Sequence, residues 1–193
     1  MGEQETLDKI AGHLSALDRA IDHSVENNLV LPALILIFTG IDVLASLERR
    51  EGEGTQKSFV RWADTYLVPQ GLPDCSGIDL YGARCGVLHS FAAESCLSRS
   101  GKAKPVHYAW GTADPKDMLQ VDRAINRGTF IVIHVSELRS AFHAARIAYF
   151  DQVAKDDARV GSVLKNAGTL WLTDVPVHLI KKALENISKD PTA

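Results

Sequence analysis

The chain lacks most of the patterns by which catalytic chemistry declares itself in sequence. There is no His-Glu-x-x-His pair, no glycine-rich phosphate loop and no Gly-x-Ser-x-Gly elbow. His107, His134, His143 and His178 share no metal-ligand spacing, so neither a metal nor a cofactor is expected. Gly52 and Gly54 sit between Glu51 and Glu53, whose charges would repel a phosphate rather than cradle it. Cysteine is scarce and odd in number. Cys75, Cys85 and Cys96 lack metal-type pairing and read as reduced thiols. A positive excess is also missing: 21 Lys and Arg face 24 Asp and Glu, for a formal charge of −3. That balance excludes a generally basic nucleic-acid coat, so any RNA contact must come from a local patch. Leu29 to Phe38 is strongly apolar but too short, and too soon followed by Asp42, to span a membrane. Met1 to Asp8 is polar and acidic, unlike a secretory leader. Met1-Gly2 with Thr6 matches an acylation pattern only nominally, because Glu3 and Glu5 suit the first turn of a helix. A cytoplasmic protein without a membrane partner is therefore expected.

What is present is helical periodicity. Leu7, Ile10, Leu14, Leu17, Ile21 and Val25 recur at three- and four-residue steps and predict an amphipathic helix. Asn27, Asn28 and Pro32 punctuate the chain before a second helix through Leu34, Ile37, Phe38, Ile41, Leu44 and Leu47, apolar nearly all round, which should be the central core helix. After the break at Glu51 to Gly54, Thr55 can start a short helix carrying Phe59, Trp62, Tyr66 and Leu67. Val106 to Trp110 and Thr129 to Val135 read as short strands flanking a helix over Pro115 to Asn126. Ser136 then caps a helix with Leu138, Phe142, Ala145 and Tyr149 inward, and a last helix is expected near Val177 to Ile187. The fold class expected is mainly α, a helical bundle with a small α+β elaboration after about residue 100. One domain over 1–193 would have its helical core at about 5–95 and 136–154, with the elaboration at about 100–135 and 156–193.

Arg84 and His89 are the most informative residues. They are the only strongly polar groups between Leu80 and Ala93, on what reads as a fully buried helix begun by Ser76 and Asp79 at capping-box spacing. Ile78, Leu80, Tyr81, Cys85, Val87, Leu88, Phe91 and Ala92 fill one arc at about 100° per residue, and Arg84 falls inside it. Gly82, Ala83, Gly86, Ser90 and Ala93 make the opposite face small enough to lie against another helix or subunit. A guanidinium in such a place needs a partner, a ligand or a wet cavity. A structural ion pair and a functional site are both open. On an ideal helix the two side chains point about 140° apart, so a shared target requires the helix to end or bend near His89, or a second copy to face the first.

The run Asp79-Leu80-Tyr81-Gly82-Ala83-Arg84-Cys85-Gly86-Val87-Leu88-His89-Ser90-Phe91 resembles the Arg-x4–6-His signature of the HEPN superfamily, helical bundles named for higher eukaryotes and prokaryotes nucleotide-binding. The resemblance covers the motif helix and the helical pattern before it, roughly the first hundred residues. It implies a homodimer whose Arg84 and His89 form a metal-independent endoribonuclease site at the dimer cleft, with RNA or a nucleotide as ligand. Many members act in toxin–antitoxin and defence systems, which further implies a cognate antitoxin-like protein. The chain departs from the pattern twice. Active members often carry Asn, Asp or His where Cys85 stands, and some toxins carry Tyr at the place of Phe91. Both changes remove a polar group. The alternative expectation is therefore a non-catalytic HEPN-like binding or scaffold protein with a silenced site.

Three further features bear on the site. Asp42 lies in the most apolar helix, where an unpaired carboxylate is expensive; it is either exposed at a helix end or bonded to Arg84 or His89. Ser95 to Ala113 holds Arg99, Lys102 and Lys104 and only neutral residues otherwise, a loop that either binds phosphate near Arg84 or is merely solvated. His107, Tyr108 and Trp110 either pack a strand on the helices or stack bases. Arg127 and His134 fit the looser motif spacing but lack its helical setting.

Overall fold

In the computed structural model the described residues are 3–72, 74–126 and 130–168. The first helix, α1 (Glu3–Glu26), buries Ile10, Leu14 and Ile21 along one stripe, as its three- and four-residue spacing demands. It ends where Asn28 takes the left-handed conformation and the Leu29 amide returns to the Ser24 carbonyl, an ordinary use of Asn. α2 (Val30–Leu47) is the core helix, with Ile37, Phe38, Ile41 and Leu44 sealed from solvent. By length and composition it is the one described helix apolar enough to cross a membrane, and half of it is buried in the bundle. Gly40 lets the Phe142 ring lie against it, since a Cβ there would stand 2.5 Å from the ring edge.

α3 (Thr55–Trp62) widens into a π turn over Ala63–Leu67 and a 3₁₀ turn over Val68–Gln70. α4 (Gly77–Ser90) carries Arg84 and His89, and its start follows from Asp79. That carboxylate accepts the Ser76 amide at 3.0 Å and the Lys104 amide at 2.6 Å, so it caps the helix and clamps a later segment. After α5 (Cys96–Arg99), β1 (Val106–Ala109) and β2 (Ile131–His134) pair in parallel, with α6 (Pro115–Asn126) as the crossover. α7 (Val135–Val153) closes the bundle with Leu138, Phe142, Ala145 and Tyr149 inward. Its cap is His134 rather than Ser136, the imidazole Nδ1 accepting the Ser136 amide. A single core runs from Ile10 to Ala167 and includes Val106, Ile131 and Ile133 of the sheet. The mainly helical bundle with a small sheet is thus the architecture of the chain.

Two expectations require correction. α4 is not fully buried. Its core-facing residues are Leu80, Ala83 and Val87, while Gly82 and Gly86 are covered by the returning chain at Ala92 to Ala103. The larger arc of Tyr81, Arg84, Cys85 and Leu88 is left half-buried, and Phe91 is 70% exposed. Small residues won the packed face because they admit backbone at contact distance. Residues 157–167 also form a helix of which the sequence carries no clear signal. Asp156 caps α8 (Asp157–Ala167), whose Val163 and Ala167 join the core. The helix expected near Val177 to Ile187 and the Arg127 candidate lie outside the described residues.

Candidate functional site at Asp42, Arg84 and His89

Residues on two helices meet on one face of the bundle. Asp42 sits midway along α2 and Arg84 midway along α4. The Arg84 Nε donates to Asp42 Oδ2 at 2.9 Å, and one terminal nitrogen stands 2.9 Å from the same oxygen in an ion pair. The other terminal nitrogen lies 3.0 Å from His89 Nε2. A guanidinium has no acceptor and stays protonated, so the His89 nitrogen accepts and the neutral ring carries its hydrogen on Nδ1. The expected 140° separation is overcome in one protomer by two means. The arginine side chain is long, and α4 ends at Ser90, so His89 occupies a last turn that is free to lean back.

The surroundings explain the electrostatics. The Arg84 and Asp42 side chains are 17% and 20% exposed, so both charges are partly stripped of water. Burial works against the Arg84 charge, and the Asp42 carboxylate more than restores it, holding the guanidinium above its ordinary value. For Asp42 burial prevails over Arg84, Arg49 and His89, and its carboxyl is pushed up. One reason is visible: Asp42 Oδ1 is buried without a hydrogen-bond partner. The Tyr81 ring lies below the guanidinium, 5.9 Å from its carbon, and the Cys85 thiol contacts the same group.

The Arg84 guanidinium is thus held by Asp42, His89 and the Cys85 thiol. A guanidinium is also the group whose paired N–H donors suit two oxygens of a phosphate. Among the described residues no group of three or more His, Cys, Asp or Glu could hold a metal ion.

No known protein family, curated protein or solved structure matches the chain.

The candidates distribute unevenly around this centre. Asp42, Arg84, His89 and Cys85 come together. Phe91 follows the helix in a left-handed conformation with its ring in solvent. Arg99, Lys102 and Lys104 belong to the segment that covers the Gly82 face, behind Arg84; Lys102 and Lys104 line a cavity with Asp74 and Asp79 at the opposite end of α4. Arg99 turns to the Cys96 sulfur. Sequence reasoning missed Arg49, just past the end of α2, whose charge acts on Asp42 while its nitrogens bond Ser46 and Ser58. The signal was there: Asp42, Ser46 and Arg49 are spaced i, i+4, i+7.

Proposed function

We propose that the chain is a HEPN-like, metal-independent endoribonuclease acting through Arg84 and His89 at a homodimer cleft. The observation that carries this reading is the Asp42–Arg84–His89 chain, in which a fixed guanidinium stands in contact with an exposed imidazole. A phosphate bound to that guanidinium competes for the arginine nitrogen now bonded to His89. The freed Nε2 takes the proton of a ribose 2′-hydroxyl, and the 2′-oxygen attacks phosphorus. Arg84 stabilises the added negative charge as the bond to O5′ breaks. The leaving oxygen takes its proton from an imidazolium at the same cleft, and the products are a 2′,3′-cyclic phosphate and a 5′-hydroxyl. Asp42 positions Arg84 and touches no reacting atom.

The homodimer is supported by half-buried apolar residues beside the site, Ile35, Leu36 and Val43 on α2 and Leu88 on α4. A second copy placed there covers them and brings two sites together. The same reading implies a cognate antitoxin-like protein that masks the cleft. In a bacterial host, the wild type is expected to arrest growth and leave RNA with cyclic phosphate ends, and His89→Ala to do neither. Equal arrest by both removes His89 from the chemistry.

A non-catalytic HEPN-like binding module is the second reading, favoured by a specific observation. The acceptor nitrogen of His89 is already engaged by Arg84, and the neighbouring Cys85 and Phe91 supply no polar group in place of those of active members.

A further inference from the structure

Two large aromatic rings stand in solvent at the rim of one cavity, Phe91 at 70% exposure and Trp110 at 52%. The cavity measures about 400 Å³, within the range of small-ligand sites. Its walls come from four elements: Leu31 and Leu34 of α2, Val87 on α4, Trp110 after β1 and Met118 of α6. Val87 is one turn beyond Arg84, and Phe91 is two residues beyond His89, so the groove and the Arg84–His89 pair share the last turns of α4.

The exposure of Phe91 is imposed by the backbone. Only two non-glycine described residues have positive φ, Asn28 and Phe91. Asn is at home there, whereas a bulky residue pays a steric cost. Phe91 is held by its own amide and that of Ala92, both returning to the Gly86 carbonyl. Gly86 permits this, because a Cβ there would lie 2.4 Å from the Ala92 oxygen. A strained position is thus occupied by a ring that contributes little to the core, the pattern expected of a binding residue rather than a packing one.

We propose that this groove seats a nucleobase of single-stranded RNA between Phe91 and Trp110, next to the phosphate held by Arg84 and His89. The inference rests on the ribonuclease reading above. Flat exposed rings at the end of the helix that carries the Arg84 guanidinium match a ligand that is planar at one end and anionic at the other. Stacking of this kind accepts any base, so the groove selects single strands over duplexes rather than one sequence.

The test uses an uncleavable 2′-O-methyl oligouridylate and its abasic counterpart, with binding followed by fluorescence anisotropy across a salt series. Trp110→Ala and Phe91→Gly are each expected to weaken binding of the intact strand roughly tenfold. The abasic strand should lose a similar factor on the wild type and almost nothing more on either variant. Phe91→Gly should also raise the melting temperature by roughly 2–4 °C, because glycine relieves the left-handed strain. A residue with a merely structural role would lower it. If both aromatic variants bind like the wild type while Arg84→Gln weakens binding and flattens its salt dependence, the base groove is overturned and the RNA site stands. If the wild type binds neither strand at any salt, both fall. A protein partner whose capture needs both rings, with RNA affinity unchanged by their loss, also overturns the groove.

Discussion

Helix α2 carries two carboxylates that meet arginines from other helices, and the two encounters end differently. Glu48, near its C-terminus, draws in Arg61 at 3.3 Å and Arg159. Arg61 also spans Glu53 through two nitrogens, at 3.1 and 2.9 Å. Tyr66 joins Glu48, Gln152 and Arg159, and its ring packs with Trp62 and Tyr149. Two cations face two anions, and the lattice ties α2, α3 and α8 together. Asp42, six residues earlier, bonds a single arginine whose other partners are the exposed His89 and the Cys85 thiol. The two regions differ in charge balance, two cations against two anions around Glu48 and one arginine against one carboxylate at Asp42. The function proposed above rests on the second, and the first is read as structural.

The largest effects should separate the two regions cleanly. His89→Ala is expected to lower RNA cleavage by two to four orders of magnitude with little change in melting temperature. Arg61→Ala should do the reverse, costing roughly 2 kcal/mol, since the lattice is only partly buried and loses less than a sealed pair would. That corresponds to a fall of about 4–8 °C, with cleavage by the folded fraction unchanged. Thermal melts and single-turnover rates on both variants measure this, and a matched loss of both quantities in either variant would erase the distinction.

Asp42→Asn sharpens the comparison at intermediate scale. It keeps an acceptor for Arg84 but removes the charge that fixes it, so cleavage should fall about tenfold. Stability should move by less than about 1 kcal/mol, because the buried Oδ1 has no partner to lose. A rate equal to that of the wild type would show that Asp42 does not position Arg84.

Acid should dismantle the regions in a fixed order. Asp42 is raised above the ordinary 3.8, so the folded protein binds its proton more tightly than the unfolded chain. Its ionised form therefore costs stability at neutral pH, and acidification relieves that cost while releasing Arg84. Glu53 is held down to about 2 from 4.5 by Arg61. Its contribution is complete above 4.5 and is lost as pH falls from there toward about 2. Carboxyl carbon NMR during an acid titration should show Asp42 protonating before Glu53; the opposite order would contradict the assignment.

The smallest effect concerns the seam of α8. Asn166 donates to the Leu47 and Arg49 carbonyls at 2.9 and 3.0 Å, satisfying the end of α2. Asn166→Ala should cost about 1 kcal/mol by denaturant titration and leave cleavage unchanged.

The legible parts of the chain were those with a strong period or a local signal. The stripe of α1, the apolar length of α2, the Ser76–Asp79 start of α4 and the limits of α6 all follow from residues a few positions apart. The Asp42–Arg84 pairing was half readable: a carboxylate and a guanidinium on apolar helices each call for a partner, but the sequence left an exposed Asp42 equally open. Two things were not readable. The small face of α4 was visible as a packing surface, but that residues 92–103 would cover it and leave the larger arc half-buried is a tertiary event with no local trace. The place of Lys104 was set by its amide bonding Asp79, so backbone rather than charge decided where that loop lies.

The most direct measurement is RNA cleavage in EDTA by the wild type, Arg84→Ala and His89→Ala side by side, with Arg61→Ala as the folding control. The expected result is cleavage by the wild type and by folded Arg61→Ala, with 2′,3′-cyclic phosphate ends, and none by the two site variants. Intact RNA in the presence of a well-folded wild type, or equal cleavage by His89→Ala, would contradict it.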